Sequence, residues 1–68
     1  MSALERQEGG DHYKAMAIQP FVFITKNELG FAVGNVIKYV CRYQDKNGIE
    51  DLKKARHYLD MLIELEGP

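Results

Sequence analysis

Phe31-Ala32-Val33-Gly34-Asn35-Val36-Ile37-Lys38-Tyr39-Val40-Cys41-Arg42-Tyr43 carries the clearest periodicity in the chain. Val33, Val36, Ile37, Val40 and Tyr43 recur at steps of three and four, the spacing that gathers side chains on one face of an α-helix. Advancing about 100° per residue, Gly34, Lys38, Cys41, Arg42 and Asp45 fall on the opposite side. The pattern predicts a two-faced helix over residues 31–43. Asp45-Lys46-Asn47-Gly48 then reads as a turn.

Working outward, Ile49 to Glu66 predicts a third helix. Glu50 and Asp51 lie in its first turn, where carboxylates favour the positive end of the helix dipole. Leu52, Ala55, Leu59, Leu62 and Ile63 form the expected core stripe, and Tyr58, Met61 and Leu65 a second stripe more than 100° around. On the other side, Pro20 suits a first helical turn. Phe21, Ile24 and Leu29 can then share a face, with Gly30 as a stop. A helix over about 20–29 is expected, although residues 21–25 alone could pass for a short strand. Residues 1–10 lack periodicity and read as a flexible arm. The fold class is therefore mainly α, a compact bundle of about three helices in one domain over residues 11–68.

Size and composition narrow the function. A chain of 68 residues buries only roughly 60% of its unfolded surface and usually needs a disulfide, a metal or a partner subunit. Cys41 is the single cysteine, His12 and His57 are the two histidines, and no CxxC or HxxxH spacing is present, so no metal site is expected. Association of copies remains, and Tyr58, Met61 and Leu65 are the expected homo-oligomer interface. The net charge of −1, from nine basic and ten acidic residues, argues against a nucleic-acid polymer as partner. The bases nevertheless concentrate between Lys38 and Arg56, which suits a small anion. No leader and no apolar run of about 20 residues is visible, so no membrane partner is expected and the cytoplasm is the expected location.

Lys38 and Arg42 stand one turn apart, a point charge and a planar fork that together could clamp a phosphate. Gly34 permits close approach, and Asn35 offers a donor and an acceptor for a base or ribose. Lys46 adds a charge in the following turn. The alternative is that these cations pair with Asp45, Asp51 or solvent. His12, Tyr13 and Lys14 form a second cluster, with Tyr13 placed to stack on a base or to pack on the core edge. Glu50 and Asp51 could hold Mg²⁺ or simply start a helix. Cys41 carries no catalytic expectation. The phosphate loop, the dinucleotide fingerprint and the nucleophile elbow are all missing.

Three blocks, in order, resemble the short bacteriophage domain DUF3310: Asp11-His12-Tyr13-Lys14; Gly34-Asn35, Lys38-Tyr39 and Arg42; and Lys46, Gly48, Asp51-Leu52, Lys54-Ala55 and Tyr58-Leu59. The resemblance covers about residues 11–63. That domain is similar to part of the nucleotide kinase of T7-like phages, which lacks a recognisable phosphate loop. The resemblance implies a phage protein in the cytoplasm of an infected bacterium, a nucleotide ligand, and Asp11, His12, Tyr13, Lys14, Asn35, Lys38 and Arg42 as ligand-facing positions. The leading expectation is a homo-oligomer that binds a phosphorylated nucleotide without a cofactor and sequesters a nucleotide signal of host defence. The alternatives are a nucleoside monophosphate kinase, for which alone Mg²⁺ is expected, and a module that docks on a host enzyme. A MazG-like pyrophosphatase ranks last, because Glu50-Asp51 has no further acidic partner at the required spacing.

Overall fold

Pro20 and Glu28 set the limits of the first helix. The computed structural model describes residues 16–67, so the expected arm at residues 1–10 and the Asp11–Lys14 cluster lie outside the described residues. Three helices follow in order: α1 over Pro20–Lys26, α2 over Phe31–Arg42 and α3 over Ile49–Glu66. Pro20 occupies the first turn of α1, and Gln19 before it is held extended at φ −66°, ψ 140°, as a residue preceding proline prefers. At the other end, the Glu28 N–H donates to the Thr25 carbonyl and the Leu29 N–H to the Ile24 carbonyl, at 3.1 and 3.0 Å. This crossed pair is the Schellman arrangement, which needs a left-handed residue just past the helix.

Glu28 fills that position at φ 55°, where glycine was expected. Gly30 instead adopts φ −71°, ψ 173° as the N-cap of α2. The first helix thus stops three residues short of the expected boundary. A left-handed non-glycine residue costs roughly 1–2 kcal/mol, of which glycine returns part to the flexibility of the unfolded chain. Glu28→Gly is expected to stabilise the fold by about 0.5–1 kcal/mol and raise the melting temperature by several degrees. A drop in thermal denaturation would contradict this account of the cap.

α2 and α3 form an antiparallel hairpin. Arg42 at the end of α2 meets Asp51 near the start of α3, while Phe31 at the start of α2 meets Tyr58, ring centroids 5.9 Å apart. Residues 43–48 make the turn. The Gly48 N–H donates to the Tyr43 carbonyl at 2.7 Å, and Gly48 takes φ 53°, ψ −123°, a conformation that only glycine adopts readily. With 18 residues against 12, α3 is about 27 Å long and outruns α2 by roughly 9 Å.

Among the described helices α1 packs on α2 and not on α3, and α3 packs on the other flank of α2. The close approach of α1 is at Gly34, where an added Cβ would lie 3.0 Å from Ile24 Cγ2. The described structure is consequently one helix thick, with α2 in the middle. Among the described residues only Pro20, Gly34, Asp51 and Ala55 are buried.

This layer rearranges two expected faces. On α3 the inward row is Asp51, Ala55, Tyr58 and Leu62, whereas Leu59 and Ile63, expected in the core, are exposed. The Asp51–Arg42 pair and the seating of Tyr58 against Tyr39 and Phe31 turn α3 to this register. On α2, Val33 and Val40 are exposed, while Gly34 is buried under Ile24. Of the expected apolar face of α2, Val33 and Val40 thus point out of the layer, whereas Val36, Ile37 and Tyr43 are half-buried. Among the described residues no helix is long and apolar enough to cross a membrane.

Candidate anion-binding site

Asp51 is the anchor of the site. Its side chain has no exposure to solvent, and that of Arg42 only 14%. Arg42 donates from Nε to Oδ2 at 3.2 Å and from a terminal nitrogen to Oδ1 at 3.1 Å. The Asn47 backbone N–H donates to Oδ2 at 3.2 Å. Burial pushes the Asp51 carboxyl up. The hydrogen bonds from Arg42 and Asn47, together with the Arg42 charge, outweigh burial and hold it below the usual carboxylate value. Asp51 thereby ties the end of α2, the turn and the first turn of α3 into one unit.

The pairing fixes where the guanidinium lies. Its central carbon stands 4.7 Å from the centroid of the Tyr39 ring, within the range of a cation–π contact. Lys38 Nζ lies 4.5 Å from the same centroid and Lys54 Nζ 5.4 Å. Tyr39 in turn stacks on Tyr58 across the hairpin, at 6.1 Å and 20°. Three cations from two helices therefore gather around one ring. Asp51 serves Arg42, whereas neither Lys38 nor Lys54 has a carboxylate within 4.0 Å among the described residues.

Two grooves flank this cluster. One, of about 460 Å³, is lined by Tyr39, Glu50, Lys53, Lys54, His57, Tyr58 and Met61. The other, of about 310 Å³, runs between α1 and α2 and includes Phe21, Ile24, Phe31, Gly34, Asn35 and Lys38. Lys38 belongs to both neighbourhoods, since it lines the second groove and covers the ring that lines the first. Both volumes fall within or near the range of small-molecule sites.

Of the positions anticipated from sequence, Asn35 and Lys38 share the α1–α2 groove, and Asn35 Nδ2 donates to the Phe31 carbonyl at 2.9 Å. Arg42 has its fork on Asp51, the pairing weighed as an alternative. Lys46 is exposed in the connecting turn. Asp11, His12, Tyr13 and Lys14 lie outside the described residues. Glu50 and Asp51, weighed for Mg²⁺, are engaged otherwise: Glu50 faces Lys53 at 3.9 Å, and Asp51 faces Arg42. Among the described residues no group of three or more His, Cys, Asp or Glu comes together as a metal site. Cys41 is a half-buried free thiol beside α1.

Sequence reasoning missed Tyr39 as the hub and Lys54, Lys53 and His57 as its surroundings. A partial signal was available. Lys38, Tyr39, Arg42, Asp51, Lys54 and Tyr58 all belong to the blocks that carry the family resemblance, and the hairpin joins these six into one connected cluster.

The protein is thus a helical hairpin flanked by a short helix, with a basic–aromatic cluster bridging its two long arms. The chain belongs to the DUF3310 family, described as a protein of unknown function, whose model matches residues 7–60. No curated protein and no solved structure matches it.

Proposed function

We propose that this protein binds a phosphorylated nucleotide, or a small molecule derived from one, on the basic face around Tyr39. The observation that carries this reading is the convergence of Lys38, Arg42 and Lys54 on one ring while a carboxylate serves only Arg42 among them. Lys38 and Lys54 both stand at the Tyr39 ring without a carboxylate partner among the described residues, and an anion bound beside the ring would supply the missing counter-charge. The aromatic pair Tyr39–Tyr58 provides a flat apolar surface beside the charges, the combination that suits a base joined to a phosphate. In this reading the protein acts in the cytoplasm of a phage-infected bacterium, a setting the family resemblance suggests, and its task there is to sequester a nucleotide signal of host defence. The small core of the described residues supports assembly as a homo-oligomer.

Binding is favoured over phosphoryl transfer because Asp51, weighed for Mg²⁺ in the kinase alternative, is wholly buried and held by Arg42 and the Asn47 N–H. The test is thermal denaturation with mono-, di-, cyclic and ADP-ribose-type nucleotides, with and without Mg²⁺. One nucleotide class at a hundred times its Kd should stabilise the fold by about 2.7 kcal/mol, a rise on the order of 10 °C for a domain of this size. Mg²⁺-dependent turnover of ATP with a monophosphate would replace this reading with the kinase. Indifference to every nucleotide at millimolar concentration would overturn both and leave the protein-docking module.

A further inference from the structure

We infer that a second copy of this chain covers the face of the layer opposite the basic cluster, the face formed by Ile18, Phe23, Val33, Val40, Leu59 and Ile63. The inference deepens the self-association part of the function proposed above. It names the surface, and it leaves the ligand-facing side of each copy open.

Helix geometry places these residues together. On α2, Tyr39 turns toward α3, Gly34 and Cys41 turn toward α1, and Lys38 and Arg42 lie on the basic side. Val33 and Val40 are left pointing the opposite way from Lys38 and Arg42. On α3, Asp51 and Ala55 point inward and Lys54 and Met61 line the basic groove. Leu59 and Ile63 therefore flank the inward row on its other side. Phe23 and Ile18 line an apolar groove with Ile37 and Cys41 and extend the face onto α1.

The area is what a stable dimer needs. These six residues range from 38% exposed at Val33 to 68% at Ile63. Together they leave about three whole large side chains uncovered, on the order of 500 Å² of apolar surface per copy. Two copies bring about 1,000 Å², close to the apolar share of an interface of roughly 1,600 Å². Arg56 and Asp60 stand at the outer margin of α3, the charged rim such an interface carries. A domain normally buries its apolar side against a second layer, and a two-fold pairing of identical faces supplies that layer to both copies at once. The competing surface, Tyr58, Met61 and Leu65, would close over the groove that Tyr39 and Lys54 line.

The test combines mass with cross-linking in the full chain. Light scattering should give a multiple of the chain mass. Val40→Cys on a Cys41→Ser background should be joined between copies by a short bismaleimide, while Met61→Cys on the same background should not. Ile63→Glu should shift the mass toward the single chain, and Leu65→Glu should leave it unchanged. Cross-linking needs no destabilised variant, so it decides the matter even where Ile63→Glu fails to fold. A single chain at every concentration overturns both self-association and the face. A multimer joined through Met61 and not Val40 overturns the face alone. Neither outcome depends on whether any nucleotide binds.

Discussion

Asp51→Asn is expected to destabilise the protein by about 3 kcal/mol, enough to lower the melting temperature by more than 10 °C. The carboxylate is wholly out of solvent and receives two hydrogen bonds from Arg42 and one from Asn47. An amide of the same shape keeps one acceptor, lacks the charge, and turns an N–H₂ group toward a donor. Arg42 is then left largely buried beside a neutral partner, and removing one member of a buried pair costs far more than the pair itself contributes. The same variant reports on pH. The folded carboxyl lies below its ordinary value of 3.8, so its contribution is complete above pH of about 3.8 and is lost as pH falls through the lower, folded value. The gap in melting temperature between the native chain and Asp51→Asn should be constant from pH 5 to 7 and should narrow below pH of about 3.8. A gap under about 2 °C at neutral pH, roughly 0.5 kcal/mol, would overturn the account of Asp51 as a buried carboxylate held by Arg42.

The double variant Lys38→Ala/Lys54→Ala is expected to weaken nucleotide binding about 100-fold. Each charge-assisted contact to a phosphate at a partly exposed site is worth about 1.4 kcal/mol, a factor of ten in Kd. Calorimetric titration in 50 and 200 mM salt would measure it, and the salt dependence should shrink along with the affinity. Neither lysine has an ion-pair partner among the described residues. Removing them should therefore leave the melting temperature of the free protein unchanged or slightly higher. Arg42→Ala should differ, because it removes a ligand contact and strands Asp51, so that binding and stability fall together. Undiminished affinity in the double variant would move the ligand away from Tyr39.

These contrasts show what the amino-acid sequence could and could not reveal. The existence of three helices was legible because apolar periodicity, Pro20 and Gly48 mark their starts independently of tertiary context. The bounds of α3 were read correctly for the same reason. The end of α1 was misread because Glu28 adopts the left-handed conformation that composition assigns to glycine. The inward row of α3 was misread because periodicity finds an apolar stripe but not the rotation at which it docks. Here a buried aspartate and a half-buried tyrosine set that rotation. Lys38 and Arg42 were legible as a pair one turn apart. Lys54 and Tyr39 were not, because they meet only across the hairpin, 15 positions apart in the chain.

The seam at Gly34 carries a consequence for motion. The long hairpin is joined by adjacent segments and clamped by the Arg42–Asp51 pair, so its contacts are local and it should form early in folding. Among the described helices seven-residue α1 touches only α2, and it is held where Ile24 lies over a glycine. Its amides should exchange with deuterium ahead of those of the hairpin, as a separate opening unit. Lifting α1 widens the groove at Asn35 and Lys38 without disturbing the clamp.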